Sequence, residues 1–325
     1  MDLRIPLLNL AAQHGLARAD FNRLLALAGL SAEPPALARR LAAVLGIAGA
    51  ALLGLGLIFL VAAQWGDLGR PARVALLQAA VLLPLLAAWL GPRAARAPLA
   101  LLGFLACGGL LAYIGQTYQT GADPWQLFAL WALIGLPLAC AVRHDVLWAP
   151  WSLVALTGIS LWMQAHSEHS WTVQSRHLTP HLMGWLMTAA VAGLLSGPLR
   201  PITGAGLWSL RTALTLASFI VAITALVGLF SAEVRPQYPL GLLVVLLGLA
   251  LLASRRGFDV FGLSALALAL NGLLVAGLAR ALFSMQGGPD PFGRILLIAL
   301  ISAGLLAFSV SAILARTRRV QGEAA

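Results

Sequence analysis

Four of the six histidines lie within sixteen residues of one polar stretch, which makes this stretch the first candidate for chemistry. They are His166, His169, His177 and His181. Neutral imidazole is a good ligand for Zn, Cu and Ni, so the stretch could hold a metal ion. Pro180 argues against one helical turn joining the last two histidines, and no His-Glu-x-x-His order is present. A solvated polar loop is the favoured interpretation, and no other cofactor is predicted.

A second set of polar and aromatic side chains lies in alternate gaps between apolar segments or at the segment ends beside those gaps. These residues are Gln116, Tyr118, Gln119, Asp123, Trp125, Asp290, Asp67 and Arg280. Ionisable groups near a bilayer are costly and usually mark a pathway or an ion pair. We therefore predict a small-ligand site between the loops around Asp123 and Asp290, where glutamine and tyrosine supply hydrogen bonds and Trp125 a stacking face.

The alternative for the same loops is structural. The carboxylates would form ion pairs that tie the loops together, and the tryptophans would belong to the aromatic belt at the membrane surface. The residues concerned are Asp67, Asp123 and Glu233, with Arg73, Arg235 and Arg280 as partners, and Trp65 and Trp125.

Two polar residues, Gln78 and Asn271, lie inside apolar segments. Such side chains usually bridge neighbouring helices by hydrogen bonds, and a contact to a substrate is the alternative. A transporter would carry a continuous polar cavity near these two residues. A membrane enzyme acting on lipid or glycan would bring two carboxylates or three histidines together. A structural or sensory subunit would show neither arrangement.

The composition dictates the elements that position these residues. Hydrophobic residues make up 60% of the 325 residues and charged residues only 10%, whereas soluble domains carry about 25% charged residues. Ten segments are apolar and near the length of about 20 residues that a spanning helix needs. They are 41–63, 72–90, 97–117, 125–142, 146–165, 182–197, 212–231, 238–254, 258–283 and 293–315. The short segment 182–197 is the least secure of these spans.

The arginines, which are all 21 of the basic residues, indicate the orientation. Fifteen lie before the first segment, in alternate loops or after the last segment: Arg4, Arg18, Arg23, Arg39, Arg40, Arg93, Arg96, Arg143, Arg200, Arg211, Arg255, Arg256, Arg316, Arg318 and Arg319. Six lie on the other side: Arg70, Arg73, Arg176, Arg235, Arg280 and Arg294. The positive-inside rule then places both termini in the cytoplasm.

The predicted organisation has three parts. Residues 1–35 form a cytoplasmic amphipathic helical pair, residues 36–315 the transmembrane domain and residues 316–325 a cytoplasmic tail. The arginines flank apolar segments, so their excess reflects membrane orientation, and we predict no nucleic-acid partner. The predicted partners are the lipid bilayer, a small molecule and, as an option left open, further copies in an oligomer.

One stretch resembles a known family. It runs from Tyr113-Ile114-Gly115-Gln116-Thr117-Tyr118-Gln119-Thr120-Gly121-Ala122-Asp123-Pro124-Trp125 into the next apolar segment, and Ala62-Ala63-Gln64-Trp65-Gly66-Asp67-Leu68 precedes it. Both resemble the bacterial predicted membrane proteins of domain-of-unknown-function family 2157, over about residues 1–165. In that family Asn is more usual than Gln64. The resemblance implies a membrane fold, and no mechanism follows from it.

An internal repeat is a further hypothesis. The motif Gln119-Thr120-Gly121-Ala122-Asp123-Pro124-Trp125 aligns with Gln286-Gly287-Gly288-Pro289-Asp290-Pro291-Phe292. The same offset lays the first four segments over the last four, which gives a parallel arrangement of four, two and four helices. The alternative is coincidence, because Asp before Pro is a common way to begin a helix.

We therefore predict an all-α, polytopic transmembrane helical bundle of about ten spans in the bacterial cytoplasmic (inner) membrane. The predicted function is transport-like or small-ligand binding at a site that faces the periplasm. Enzymatic activity is the less favoured prediction.

Overall fold

The computed structural model describes residues 4–28, 35–62, 69–118, 121–168, 172–254, 257–284 and 290–322. Within these ranges the chain forms thirteen α-helices and two short 3₁₀ turns, and no strand. The helices are α1 (Arg4–Gln13), α2 (Arg18–Leu27), α3 (Pro35–Ala62), α4 (Arg70–Leu90), α5 (Arg93–Tyr118), α6 (Pro124–Val142), α7 (Asp145–Ala165), α8 (Leu178–Leu194), α9 (Arg200–Thr203), α10 (Leu207–Leu229), α11 (Gln237–Leu252), α12 (Val260–Ser284) and α13 (Pro291–Gly322).

Each of the ten predicted apolar segments lies mainly within one of these helices. Eight helices are long and apolar enough to cross a membrane, namely α3, α4, α5, α6, α7, α10, α12 and α13. The remaining two are shorter: α11 has 16 residues, and α8 has 17 and is followed after a bend of 53° by the stretch Gly197–Thr203. The all-helical membrane fold is confirmed, and the structure supports eight spans, or nine if the bent pair counts as one.

The outer surface of the bundle is apolar. Large side chains such as Trp89, Leu90, Leu300 and Phe308 each expose at least 70% of their surface. Soluble proteins rarely expose contiguous apolar patches of this kind, because water penalises them. A surface of this type is stable when lipid surrounds it, so the exposure pattern agrees with a protein that is integral to a membrane.

Three helices, α5, α7 and α10, organise the packing. Helices α3 and α4 both pack on α5, which also contacts α6 and α7. Helix α7 then packs on α10, and α8 packs against both of them. Helix α10 in turn contacts α11 and α12, and α13 packs chiefly on α12. The bundle is therefore a chain of helix contacts in which α7 and α10 join the first half to the second.

Buried tryptophans hold the first half together. The indole N–H of Trp131 donates to the carbonyl oxygen of Phe104 at 2.9 Å, and that of Trp148 donates to Thr203 at 2.9 Å. Trp151 donates in the same way to Ala132 at 2.8 Å. Each bond satisfies a polar atom that would otherwise be costly to bury. The three rings therefore connect α5, α6, α7 and α9 through polar as well as apolar contacts.

Glycine permits the closest of these contacts. A Cβ atom at Gly108 of α5 would collide with the Trp131 ring, and one at Gly184 of α8 would collide with the side chain of Met163. Small residues let transmembrane helices approach in this way, because dispersion attraction grows as backbones draw closer. Helix packing thus explains the glycines at these two positions.

The first turn of helix α10 is bonded to a carboxylate that is distant in the sequence. Asp145, the first residue of α7, accepts hydrogen bonds from the backbone N–H groups of Gly206, Trp208 and Ser209 at 3.1, 2.8 and 2.9 Å. The first N–H groups of a helix have no partner within the helix, so an acceptor from elsewhere must supply one. A negative charge at this position also interacts favourably with the helix dipole. Asp145 therefore fixes α10 against α7 at this end.

We expect Asp145→Ala to lower the free energy of unfolding by about 2 kcal/mol, because it leaves three backbone donors of α10 without their acceptor. Asp20→Ala is the matched control, since Asp20 lies in the first turn of the exposed helix α2. Equilibrium unfolding of the purified protein in mixed micelles measures both. An effect of Asp145→Ala no larger than that of the control would contradict this role.

Candidate functional site

A cavity of about 440 Å³ lies between α7 and α10, and α8 and residue 173 close part of it. Nine of its fourteen lining residues are apolar. The polar ones are Thr157, Ser160, Gln164, His181 and Thr224. Ligand pockets usually measure about 300–1,000 Å³ and combine a mainly apolar wall with a few polar groups. The cavity has the size and the composition of a small-molecule site.

The cavity follows the C-terminal halves of the two helices. Its wall extends from Leu156 to Gln164 on α7 and from Leu216 to Val227 on α10. At 1.5 Å per residue the wall on α10 is about 16 Å long. The cavity is therefore an elongated space that begins near the middle of both helices and reaches towards their C-terminal ends.

One wall carries a stripe of polar side chains. Thr157, Ser160 and Gln164 are spaced by three and four residues, so they lie on one face of α7. The hydroxyls of Thr157 and Ser160 form no hydrogen bond to any other residue that the structure describes. Thr224, on the opposite wall, instead donates to the carbonyl oxygen of Ile220 at 2.8 Å. The α7 wall thus offers hydroxyl groups that a ligand could use.

His181 occupies the polar end of the cavity and is held by Gln237. The side-chain Nε2 of Gln237 donates to the carbonyl oxygen of Gln174 at 2.8 Å and lies 3.3 Å from Nδ1 of His181. The carbonyl fixes the amide orientation, because an amide oxygen in the same place would face another oxygen. Nδ1 of His181 then accepts, which places the imidazole proton on Nε2. Both side chains are almost fully buried.

A second buried histidine, His177, lies beside this pair. The rings of His177 and His181 are 6.4 Å apart, and His177 is 4% exposed. Neither of its nitrogens has a hydrogen-bond partner in the described chain. Its Nε2 lies 3.8 Å from Oε1 of Glu168, whose other oxygen accepts from Arg176 at 2.6 Å. These side chains form a polar group beside His181, and none of them is among the residues that line the cavity.

The four predicted metal ligands do not all meet. Among the residues with a described position, no three His, Cys, Asp or Glu side chains come close enough to hold a metal ion. His166 stacks on Trp162 with ring centres 4.4 Å apart, and its Nδ1 lies 2.9 Å from the carbonyl oxygen of Trp162. His177 and His181 are neighbours, while His169 lies outside the described residues. The metal site remains a prediction without geometric support.

The two loops of the predicted ligand site belong to different helix neighbourhoods. Asp123 precedes α6, which packs mainly on α5 and α7, whereas Asp290 precedes α13, which packs mainly on α12. In the described part of the chain α6 and α13 share no extensive interface. Asp290, Gln116 and Tyr118 are exposed, and Trp125 lies 6.0 Å from the ring of His166. Asp67 and Gln119 fall outside the described residues.

Arg280 joins two helices and does not line the cavity. Its guanidinium donates to the backbone carbonyl oxygens of Leu229, Ser231 and Ala232, at the C-terminal end of α10. These carbonyls have no partner within the helix, and a cation there also complements the helix dipole. Glu233, for its part, lies 3.6 Å from Arg235. Arg280 thus ties α12 to the end of α10.

Neither Gln78 nor Asn271 lines the cavity. Gln78 is exposed on α4. Asn271 exchanges hydrogen bonds with Ser309 at 3.1 and 3.2 Å, which links α12 to α13. This is the interhelical bridge that the sequence offers as the simpler interpretation for Asn271.

Sequence reasoning missed the α7 wall and Gln237. The spacing of Thr157, Ser160 and Gln164 within an apolar segment was the available signal, because it places three polar groups on one helical face. Gln237 carried no comparable signal, since its role depends on which carbonyl and which histidine it meets after folding.

A search of curated proteins found no match to this chain, and a search of solved structures found none. A comparison with family models did find one. Residues 9–148 match the model of a family described as "Predicted membrane protein (DUF2157)". The match covers the motif around Gly115 and Gln116 and ends at the start of α7, so it stops short of the cavity. Over residues 9–148, the N-terminal part of the chain is therefore similar to the predicted membrane proteins of this family.

Proposed function

We propose that this protein is a multi-pass membrane protein that binds a small molecule in the cavity between α7 and α10. The observation that carries the proposal is the cavity itself, with unbonded hydroxyls on one wall and the held imidazole of His181 at one end. A buried imidazole that is fixed in one tautomer is a specific hydrogen-bond donor, and it costs free energy to leave such a donor without a partner. A bound molecule would supply that partner.

The transport-like part of the proposal rests on where the cavity lies. Substrate sites of many secondary transporters lie near the bilayer midplane. The cavity here begins near the middle of α7 and α10, the two helices that join the halves of the bundle. A transporter that is open to one side of the membrane has a site of this geometry, which starts near the midplane and extends towards that side.

Helix packing supports the internal repeat that we also propose. In the first half, α3, α4 and α6 all pack on α5. In the second half, α10, α11 and α13 all pack on α12. The third helix of each proposed repeat is therefore the one on which the other three pack. The extra pair α10 and α11 has no counterpart of similar extent in the first half.

We further propose that both termini lie in the cytoplasm of a bacterium and that the cavity opens towards the periplasmic half of the membrane. Eight arginines lie on the proposed cytoplasmic side up to the end of α7: Arg4, Arg18, Arg23, Arg39, Arg40, Arg93, Arg96 and Arg143. Arg70 and Arg73 lie on the other. The positive-inside rule places the side with more arginines in the cytoplasm. The C-terminal end of α7, after five spans, then faces the periplasm.

Ligand retention tests the site. We expect the protein purified in mild detergent to carry close to one equivalent of a small organic molecule, detected by mass spectrometry of a solvent extract. Ser160→Trp should remove it, because an indole would fill the space beside α7. Leu153→Trp is the matched control on the same helix, since Leu153 is 49% exposed. Equal extracts from all three proteins, or none from any, would contradict the proposed site.

Labelling of single cysteines tests the orientation. In a Cys107→Ala, Cys140→Ala background, we expect Ser175→Cys to react with a membrane-impermeant maleimide on intact cells. Ser196→Cys and Ser254→Cys should react only after the cells are permeabilised, because the proposal places them in the cytoplasm. Reaction of Ser196→Cys on intact cells would show that α8 does not cross the membrane. The opposite labelling of Ser175→Cys and Ser254→Cys would reverse the proposed orientation.

A further inference from the structure

We infer that the ligand is an amphiphile, with a single apolar chain and a headgroup that accepts a hydrogen bond, and that it enters sideways from the lipid bilayer. This inference rests on the proposed function and deepens it by naming the class of ligand and its route. It follows from the length of the cavity, from the position of its opening and from the chemistry of its polar end.

The length of the cavity suits one leaflet of a bilayer. The wall on α10 is about 16 Å long at 1.5 Å per residue. The hydrocarbon core of a bilayer is about 30 Å thick, so the apolar chains of one leaflet extend over about half of that. The cavity begins near the middle of α10 and ends near its C-terminus, as one such chain would.

The opening faces lipid. Phe219 and Ile223 line the cavity, yet they expose 61% and 42% of their surface. Both lie within α10, at least six residues from either end of the helix. Residues that are exposed at this depth of a transmembrane helix contact hydrocarbon, so the space between α7 and α10 opens to the bilayer. A ligand that arrives by this route must itself be soluble in lipid.

The polar end of the cavity favours a ligand headgroup that accepts a hydrogen bond. Gln237 occupies Nδ1 of His181, so Nε2 carries a proton and donates. Among the residues that the structure describes, no Asp, Glu, Lys or Arg lines the cavity. A carboxyl or ester oxygen satisfies the imidazole donor, whereas a quaternary ammonium group offers no lone pair and would leave the donor without a partner. The headgroup is therefore a carboxyl or an ester, from a free fatty acid or from a monoacylglycerol.

Native mass spectrometry of the full-length protein, released from detergent micelles, tests this inference. The probes are tetradecanoate, monotetradecanoylglycerol and tetradecyltrimethylammonium, which share one chain length, with acetate as a water-soluble acid. We expect one-to-one complexes with the acid, the glyceride or both, at an affinity about tenfold above that of the ammonium probe, since one hydrogen bond separates them. Preference for the acid over the glyceride, or the reverse, identifies the source of the headgroup.

Two variants of His181 test whether its imidazole discriminates between headgroups by a hydrogen bond. His181→Phe keeps a ring but loses the donor, so it should bring the acid, the glyceride and the ammonium probe to within about twofold of one another while the chain still binds. His181→Gln retains an N–H donor and should keep most of the discrimination. Ser160→Trp should abolish binding of all three long-chain probes, and Leu153→Trp should not. The unfolding transition of each variant is measured as a control, and a transition near that of the unsubstituted protein shows that the variant folds.

A negative result of these experiments shows whether the ligand class alone is wrong or the proposed site as well. Binding of acetate as tightly as tetradecanoate, or discrimination that is unchanged in His181→Phe, would overturn the assignment of an amphiphile read by His181. If no long-chain probe binds but the purified protein retains another molecule that Ser160→Trp removes, the site stands and the ligand class is wrong. If nothing is retained and no probe binds, both proposals fail.

Discussion

A hydrogen-bonding group inside the hydrocarbon core of a bilayer finds no water, so the chain must supply its partner. This constraint accounts for most of the polar contacts of the bundle. Indole N–H groups donate to helix carbonyls, Asn271 bridges to Ser309, and hydroxyls such as those of Thr212 and Ser264 bond to the carbonyl four residues earlier. Thr157 and Ser160 stand apart because their hydroxyls have no such bond among the described residues and face a cavity.

Helix α10 connects the stability of the fold to the cavity. Asp145 of α7 holds its first turn, Arg280 of α12 holds the carbonyl oxygens of its last residue, Leu229, and of the residues just after it, and the cavity wall lies between. Both ends of the helix are therefore fixed by charged groups from other helices, which act at the ends where the backbone lacks partners. A wall that is fixed at both ends can keep a cavity open, since the helix backbone cannot readily move to fill the space.

The sequence predicted the helices well, because hydrophobic length alone distinguishes a spanning segment. The cavity could not be predicted in the same way. It depends on which face of α7 meets α10, and apolar residues surround each helix, so the pattern does not reveal its neighbours. The histidines show the same limit, because their spacing could not reveal that His181 would meet Gln237 and that His166 would stack on Trp162. Loop residues such as Asp123 and Asp290 were predicted as site residues because they are charged. The polar stripe of α7 is neutral, so only its helical spacing could indicate it.

The central claim is that the space between α7 and α10 holds a ligand in the membrane. An electron cryomicroscopy map of the protein in lipid nanodiscs, with a bound antibody fragment to add mass, tests it most directly. The proposal predicts an elongated density beside Ser160, separate from the chain, with one end within hydrogen-bond distance of Nε2 of His181. Side chains of α7 and α10 in direct contact, with no space between them, would contradict it.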